Sequence, residues 1–216
     1  MSIRKSRALG CAPSKMDGTE HVFSAGAGSS LNLPEEYSYV DYMSKVLDQG
    51  QDPICVACSV SAYINWRKNM ETGDKDDHFT NITQLKNFFK TAGGTSDGLT
   101  FKAALRELRH NGIKTKEGVV KIREYALVAS FLALKHAIIM NGPCLGALPV
   151  YDMIKPEFWR KTTNGEYYGG HAITIVGWNK EGFIIRNSWG KHFGKKGYVT
   201  IPYSEFKYFF EIWTIV

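Results

Sequence analysis

The sequence predicts an α+β protein whose first half is mainly helical and whose second half is mainly β. Up to about residue 141, apolar residues recur at helical spacing in segments that end near glycine. Beyond Pro143, short segments rich in β-branched and aromatic residues are separated by turns that contain glycine or proline. Halves segregated in this way predict two packed lobes, and a cleft between lobes is a common place for a functional site.

Four helices and five strands follow from these patterns in chain order. The first helix begins at Cys55, behind Pro53, and its apolar residues are spaced to bury one face. The predicted helices run from Cys55 to Lys68, from Ile82 to a stop at Gly93-Gly94, from about Thr100 to Asn111 and from Ser130 to Met140. The predicted strands are Pro143 to Val150, His171 to Trp178, Phe183 to Asn187, Tyr198 to Ile201 and Phe209 to Val216.

The domain organisation is predicted from composition. Residues 1–32 are poor in large apolar side chains and end in small residues, so they predict a flexible N-terminal tail. Residues 33–216 are expected to form the folded domain, with residues 42–117 in the helical lobe and residues 118–216 in the β lobe.

Charge and hydropathy exclude several classes of function. The net charge of +6 is moderate, acidic residues are interspersed among the basic ones, and no nucleic-acid-binding motif occurs. No segment is long and apolar enough to cross a membrane, and the most apolar one, Ala126 to Met140, contains Lys135 and His136. We therefore expect a monomer that binds neither nucleic acid nor membranes.

The pair Cys55 and Cys58 admits three interpretations: half of a metal site, a redox pair, or one nucleophile beside an unreactive thiol. No second pair of cysteines or histidines stands at metal-ligand spacing, which argues against zinc. The surrounding sequence also lacks the βαβ context of thioredoxin-like redox pairs. No metal and no cofactor are expected.

Three segments favour the nucleophile interpretation: DQGQDPICVACS, GGHAITIVGW and IIRNSWGKHFGKKGY. They supply a cysteine, a histidine and an asparagine in that order, which are the parts of a thiol nucleophile, its base and a residue that orients the base. From about Leu33 to the C-terminus the chain resembles the papain-like (C1-type) cysteine peptidases. This resemblance implies a two-lobed fold, with a helical left lobe, a β-barrel-like right lobe and the active site in the cleft between them.

The resemblance also selects between the two thiols. The family pattern has a glutamine and a glycine shortly before the nucleophile, and Gln49-Gly50 fits it without a gap when Cys55 is the nucleophile. Placing the nucleophile at Cys58 would need three inserted residues. With Cys55 as the nucleophile, Cys58 falls where the family has a buried aromatic residue on the helix. We therefore predict that Cys55 is the nucleophile.

The resemblance implies a role for each residue of the site. Cys55 attacks the substrate carbonyl, His171 is its base and later the acid, and Asn187 orients the imidazole. Trp189 shields the His–Asn hydrogen bond from water, and the Gln49 side chain donates to the oxyanion together with the Cys55 backbone N–H.

Substrate contacts are implied in the same way. Gly98 is expected to pair with an extended substrate strand, and Ala147, Gly170 and Ala172 are expected to line the S2 pocket, which predicts an apolar P2 side chain. The chain departs from the family at Val56, Asp52 and Phe193, where the family has an aromatic residue, a cysteine and a second cleft tryptophan. The family's disulfide framework is not matched, and residues 1–32 are too few to form its long propeptide.

The sequence thus predicts a cysteine peptidase that hydrolyses peptide or isopeptide bonds in peptide or protein substrates through a thioester. The alternative is a catalytically silent papain-like protein that binds peptides or forms part of a larger particle. Because no secretory signal or disulfide framework is present, we expect the cytoplasm or another reducing compartment, in a bacterial, phage or viral setting. Residues 1–32 are expected to be a short pro-segment or an inert terminus.

Overall fold

The computed structural model describes residues 8–24, 32–74, 80–161, 163 and 165–216. They form a two-lobed α+β fold, as predicted. The four expected helices are present, with starts within one residue and ends within four residues of the prediction: α1 Cys55–Thr72, α2 Ile82–Thr91, α3 Phe101–His110 and α4 Phe131–Asn141.

Local sequence explains where these helices begin and end. The side chain of Asn81 accepts from the backbone N–H of Gln84, and the side chain of Gln84 accepts from the backbone N–H of Asn81. These two bonds make a capping box at the start of α2. Thr100 and Ser130 cap α3 and α4 through their hydroxyls. Helix α1 ends at Gly73, whose φ of 75° suits glycine. Asn81, which is followed by Ile82 and Thr83, therefore serves as the cap of α2.

Ten strands are assigned within the described residues. The five predicted ones are β6 to β10, and the others are too short to have been recognised from alternation. In chain order they are β1 Val22–Phe23, β2 Tyr37–Ser38, β3 Ile113–Thr115, β4 Gly118–Val120, β5 Tyr125–Val128, β6 Cys144–Val150, β7 Gly169–Trp178, β8 Gly182–Arg186, β9 Tyr198–Pro202 and β10 Glu211–Ile215.

The main sheet has the order β1-β5-β10-β6-β7-β8-β9, and β2 also pairs with β7; β3 and β4 form a separate hairpin. Strand β7 pairs with β6 on one side and β8 on the other, and α1 packs against it. The Ser59 hydroxyl of α1 donates to the Ile173 carbonyl of β7 at 2.8 Å. This contact between the lobes brings the start of α1 next to the start of β7.

The N-terminal segment, residues 8–24, corrects the expectation that ordered structure begins near Leu33. Its strand β1 runs parallel to β5. Lys102 of α3 reaches Asp17 at 2.8 Å and Glu20 at 2.6 Å. Composition missed this arrangement because the segment is held by backbone hydrogen bonds and ion pairs and contributes little apolar surface of its own. Residues 1–7 and 25–31 lie outside the described part of the chain.

Two further observations concern the described residues only. None of their helices combines the length and the apolar character needed to span a bilayer. No group of three or more potential metal ligands is found among them. All four cysteines of the chain lie in the described ranges, and each is a free, buried thiol. The core therefore holds the lobes together without a disulfide.

Candidate active site

Cys55 is the first residue of α1, and its side chain is fully buried. The first turn of a helix leaves N–H groups without intrahelical partners and carries the positive end of the helix dipole, so a thiolate is favoured there. Cys58 lies one turn further on, where its N–H already donates to the Ile54 carbonyl. Only Cys55 therefore occupies the electrostatically favourable end of the helix.

Burial dominates the ionisation of Cys55. It raises the pKa of the thiol to about 11, although backbone N–H groups of Ala172 and Gly10 lower it in part. Ala172 directly follows His171, and Gly10 belongs to the N-terminal segment. The raised pKa means that the buried thiol is protonated at neutral pH in this conformation.

His171 and Asn187 are joined by a hydrogen bond of 2.8 Å between Nε2 and Oδ1. The Asn187 oxygen also accepts from the Ser188 backbone N–H at 2.7 Å, which fixes the amide with its oxygen towards the ring. Because the amide oxygen can only accept, Nε2 carries the hydrogen of this bond and Nδ1 is the ring nitrogen that this bond does not use. His171 is fully buried at the start of β7, next to the Ala172 N–H that reaches the Cys55 thiol.

The Trp189 ring stacks on the His171 ring, with centroids 4.3 Å apart and planes inclined by 24°. Trp189 is 2% exposed, and Phe193 packs edge-on against it at 4.9 Å. Water is thereby excluded from the His171–Asn187 bond, which strengthens it. Phe193 is part of this cover.

Gln49 is buried and its side chain is held at both ends. Its Nε2 donates to the carbonyls of Ala8 at 3.0 Å and Asp52 at 2.9 Å, and its Oε1 accepts from the Ser188 hydroxyl at 2.7 Å. Sequence reasoning did not single out Ser188, although it stands between Asn187 and Trp189. Its hydroxyl couples the amide of Gln49 to the segment that carries Asn187.

Two of the predicted substrate contacts, Gly98 and Gly170, lie against the N-terminal segment. A Cβ on Gly98 would overlap the Gly10 carbonyl, and a Cβ on Gly170 would overlap the Cys11 carbonyl. The Gly170 carbonyl accepts from the Cys11 N–H at 3.2 Å. The neighbouring Leu99 pairs with the segment on both sides, donating to Gly10 at 2.9 Å and accepting from Ala12 at 3.2 Å. The segment therefore pairs with the backbone around two of the predicted substrate contacts.

The predicted S2 residues Ala147 and Ala172 face each other across β6 and β7. An acidic residue lies beside them: Glu211 of β10 is opposite Ala147 and is only 5% exposed. Its carboxylate accepts from the Ser14 N–H at 3.2 Å and from the Trp213 Nε1 at 2.7 Å. Burial raises the pKa of Glu211. The sequence could have indicated this residue, because Glu211 is the one acidic residue in the predicted strand Phe209 to Val216, which is mainly apolar.

Comparison with known proteins identifies the family. The model of the papain family cysteine proteases matches residues 85–208, more than half of the chain. This protein therefore belongs to the papain family of cysteine proteases. The matched range contains His171 and Asn187, whereas Gln49 and Cys55 precede it.

Curated relatives are similar over part of their length. A gut-specific cysteine proteinase from Caenorhabditis elegans is 33% identical over 90 residues, which is 37% of this chain and 26% of the relative. Cathepsin J from Mus musculus is 23% identical over 206 residues, or 80% of this chain and 61% of the relative. The chain spans about a quarter of the length of the first of these relatives.

Solved structures show the same fold at low identity. Xylellain, a cysteine protease from Xylella fastidiosa, superposes with a TM-score of 0.80 at 21% identity, over 100% of this chain and 98% of the other. Procathepsin B S9 from Trypanosoma congolense gives a TM-score of 0.79 at 19% identity, over 97% of this chain and 86% of the other.

Proposed function

We propose that this protein is a cysteine peptidase that hydrolyses peptide or isopeptide bonds through a thioester acyl-enzyme. The observation that carries the proposal is the His171–Asn187 pair under Trp189, beside a cysteine at the first turn of a buried helix. Each part has a chemical purpose in thiol catalysis and little purpose in a protein that only binds peptides.

In the proposed reaction, Nδ1 of His171 takes the proton of the Cys55 thiol, and the thiolate attacks the substrate carbonyl carbon. The resulting oxyanion accepts from the Gln49 side chain and the Cys55 backbone N–H. His171 then donates the proton to the leaving amine as the carbonyl re-forms and the C–N bond breaks. Water, deprotonated by the same imidazole, hydrolyses the thioester and regenerates the thiol.

The substrate class follows from the cleft. Leu99 and Gly170 offer backbone donors and acceptors to an extended chain, so peptides or unfolded protein segments are the proposed substrates. The alanines Ala147 and Ala172 favour an apolar P2 side chain, whereas the buried Glu211 carboxylate lies close to the same positions. We also propose that the protein acts as a monomer in a reducing compartment, where its four free thiols persist.

We further propose that the N-terminal segment holds the enzyme inactive. The Ala8 carbonyl accepts from Gln49 Nε2, the donor assigned to the oxyanion, so the segment occupies the position of a reacting carbonyl. Its hydrogen bonds with Leu99 and Gly170 use the backbone groups of the cleft, and it buries Cys55. A substrate therefore has to displace residues 8–12 before it reaches the thiol.

Peptide-library cleavage by the purified protein, with Cys55→Ala as the matched control, tests the proposed activity. We expect cleavage by the wild type and none by the variant. Iodoacetamide should label only Cys55, and slowly, because the N-terminal segment must first be displaced. Folded wild-type protein that labels at Cys55 but cleaves no peptide would favour the alternative, a catalytically silent peptide-binding protein.

Incubation of the wild type should remove about the first 25 to 32 residues, since chain ends rich in small residues are readily cleaved. The small-residue stretch proposed for cleavage continues beyond Ser24 outside the described residues. The measurement is intact mass against time, with Cys55→Ala incubated in parallel. Self-processing requires loss of the peptide in the wild type only, with activity rising in step; full activity with an intact N-terminus contradicts it.

Lys102→Met should loosen the N-terminal segment, because the ammonium group pairs with Asp17 and Glu20 of that segment. These carboxylates have pKa values lowered chiefly by their hydrogen bonds to Lys102, so the contact persists at neutral pH and weakens as the pH falls below the ordinary carboxylate range. We expect initial peptide hydrolysis to rise several-fold, by about 2- to 5-fold for an exposed ion-pair cluster.

The matched control is Lys180→Met, which removes a lysine from an exposed pair with Glu35 at 3.7 Å. Equal initial rates in both variants would contradict a holding role for Lys102.

A further inference from the structure

A short loop after β6 returns on itself behind the His171 ring. The backbone N–H groups of Tyr151 and Asp152 donate to the Phe158 carbonyl at 2.8 and 3.2 Å, which closes the loop. Phe158 is fully buried although the middle of the loop is exposed. The loop therefore places the Phe158 ring in the protein interior.

That ring contacts the catalytic imidazole directly. The centroids of Phe158 and His171 are 5.7 Å apart and the planes are inclined by 79°, an edge-to-face arrangement. Phe158 also lies 5.1 Å from Trp189 and 6.2 Å from Phe193. The imidazole thus has Trp189 stacked on it and Phe158 edge-on against it, so its tilt is restricted in two directions.

The residues that follow Phe158 anchor the loop to a distant element. Trp159 Nε1 donates to one oxygen of Glu205 and Arg160 Nε donates to the other, both at 2.6 Å. Glu205 lies in a 3-10 helix, Tyr203–Tyr208, and its side chain is 17% exposed. A carboxylate that accepts two such bonds at once fixes geometry as well as energy.

We propose that Phe158 is a positioning residue for His171, and that Glu205 keeps it in place through Trp159 and Arg160. This inference rests on the proposed peptidase function. Phe158 limits tilting of the imidazole, and so keeps Nε2 aligned with Asn187 while Nδ1 exchanges its proton with Cys55. Glu205 acts only through the loop and touches no reacting atom.

Phe158→Leu tests the first part, with Phe88→Leu as the matched control. Phe88 is also a buried ring, 3% exposed, but it lies on α2, which carries none of the residues assigned to the site or to its anchor. The spectroscopic measurement is the 15N–1H signal of His171 Nε2 in the full-length labelled protein. We expect faster solvent exchange of this proton, and kcat lowered about 10- to 100-fold with little change in KM, because small misplacements of a catalytic group are costly.

An unchanged His171 signal in Phe158→Leu, or the same change in Phe88→Leu, overturns the inference. The NMR result does not depend on turnover. If the wild type cleaves no peptide, the proposed function is wrong. The positioning of His171 by Phe158 is decided separately, by the His171 Nε2 signal.

Glu205→Gln tests the anchor and avoids any change at the buried ring. The glutamine amide keeps one acceptor oxygen but places an NH2 donor where Trp159 or Arg160 also donates. The loop should therefore loosen. The Nε2 proton of His171 should exchange faster with solvent, by a smaller factor than in Phe158→Leu. Trp159→Phe, which removes one of the two bonds, should act in the same direction. Glu35→Gln, at an exposed pair, is the control. Wild-type exchange in both Glu205→Gln and Trp159→Phe contradicts the anchoring role.

Discussion

Replacing Cys55 by alanine is expected to abolish peptide hydrolysis, whereas Cys58→Ala should retain most of it. Cys55 is the first residue of α1, and its thiol lies beside the backbone N–H of Ala172, the residue that follows His171. Loss of the nucleophile should lower kcat by at least about 10⁴-fold. Cys58 lies one turn along the helix, where burial raises its pKa far above the ordinary range, so it is an unreactive core thiol. Its removal should cost about 1 kcal/mol of unfolding free energy.

The measurement is kcat on a fluorogenic peptide, with circular dichroism to show that both variants are folded. The assignment of the nucleophile would be wrong if folded Cys58→Ala were inactive and Cys55→Ala retained activity.

Gln49→Ala is expected to lower kcat by about 10- to 1000-fold while KM changes less, because one donor to the oxyanion is lost and that donor acts mainly in the transition state. Gln49 is held in place by Ser188 and its Nε2 already faces a carbonyl, that of Ala8. Gln51, two residues further on, is exposed and provides the matched control.

Steady-state kinetics on one peptide substrate separates the two glutamines. A large loss of kcat in Gln51→Ala with a nearly silent Gln49→Ala would show that the register of the segment before Cys55 is misassigned.

The sequence predicted the long, strongly patterned elements well. Helices α1 to α4 and strands β6 to β10 have caps, glycine stops or apolar runs that can be seen locally. Strands β1 to β5 have two to four residues each, and their pairing depends on partners that are remote in the chain. No local period specifies such strands, because their hydrogen bonds are completed only when the sheet assembles.

Motifs in the sequence also gave the prediction that Cys55, His171 and Asn187 act together, and the choice of Cys55 over Cys58. The contacts of Ser188, Phe158 and Glu211 were not. Each of these residues acquires its neighbours from a different element of the chain, and their spacing in the sequence contains no sign of those contacts.

The sequence by itself determined the α+β class and the position of the helix that begins at Cys55, and it supplied the hypothesis that Cys55, His171 and Asn187 perform thiol chemistry. Only the tertiary structure decided that residues 8–24 are ordered, with residues 10–12 paired to Leu99 and Gly170, that a buried carboxylate, Glu211, stands beside the predicted apolar pocket, and that a loop ring packs on His171. The physical reason is that helix caps and apolar periods act over a few residues. Burial, ion pairing to Lys102 and pKa shifts instead arise from groups that the fold brings together from distant parts of the chain.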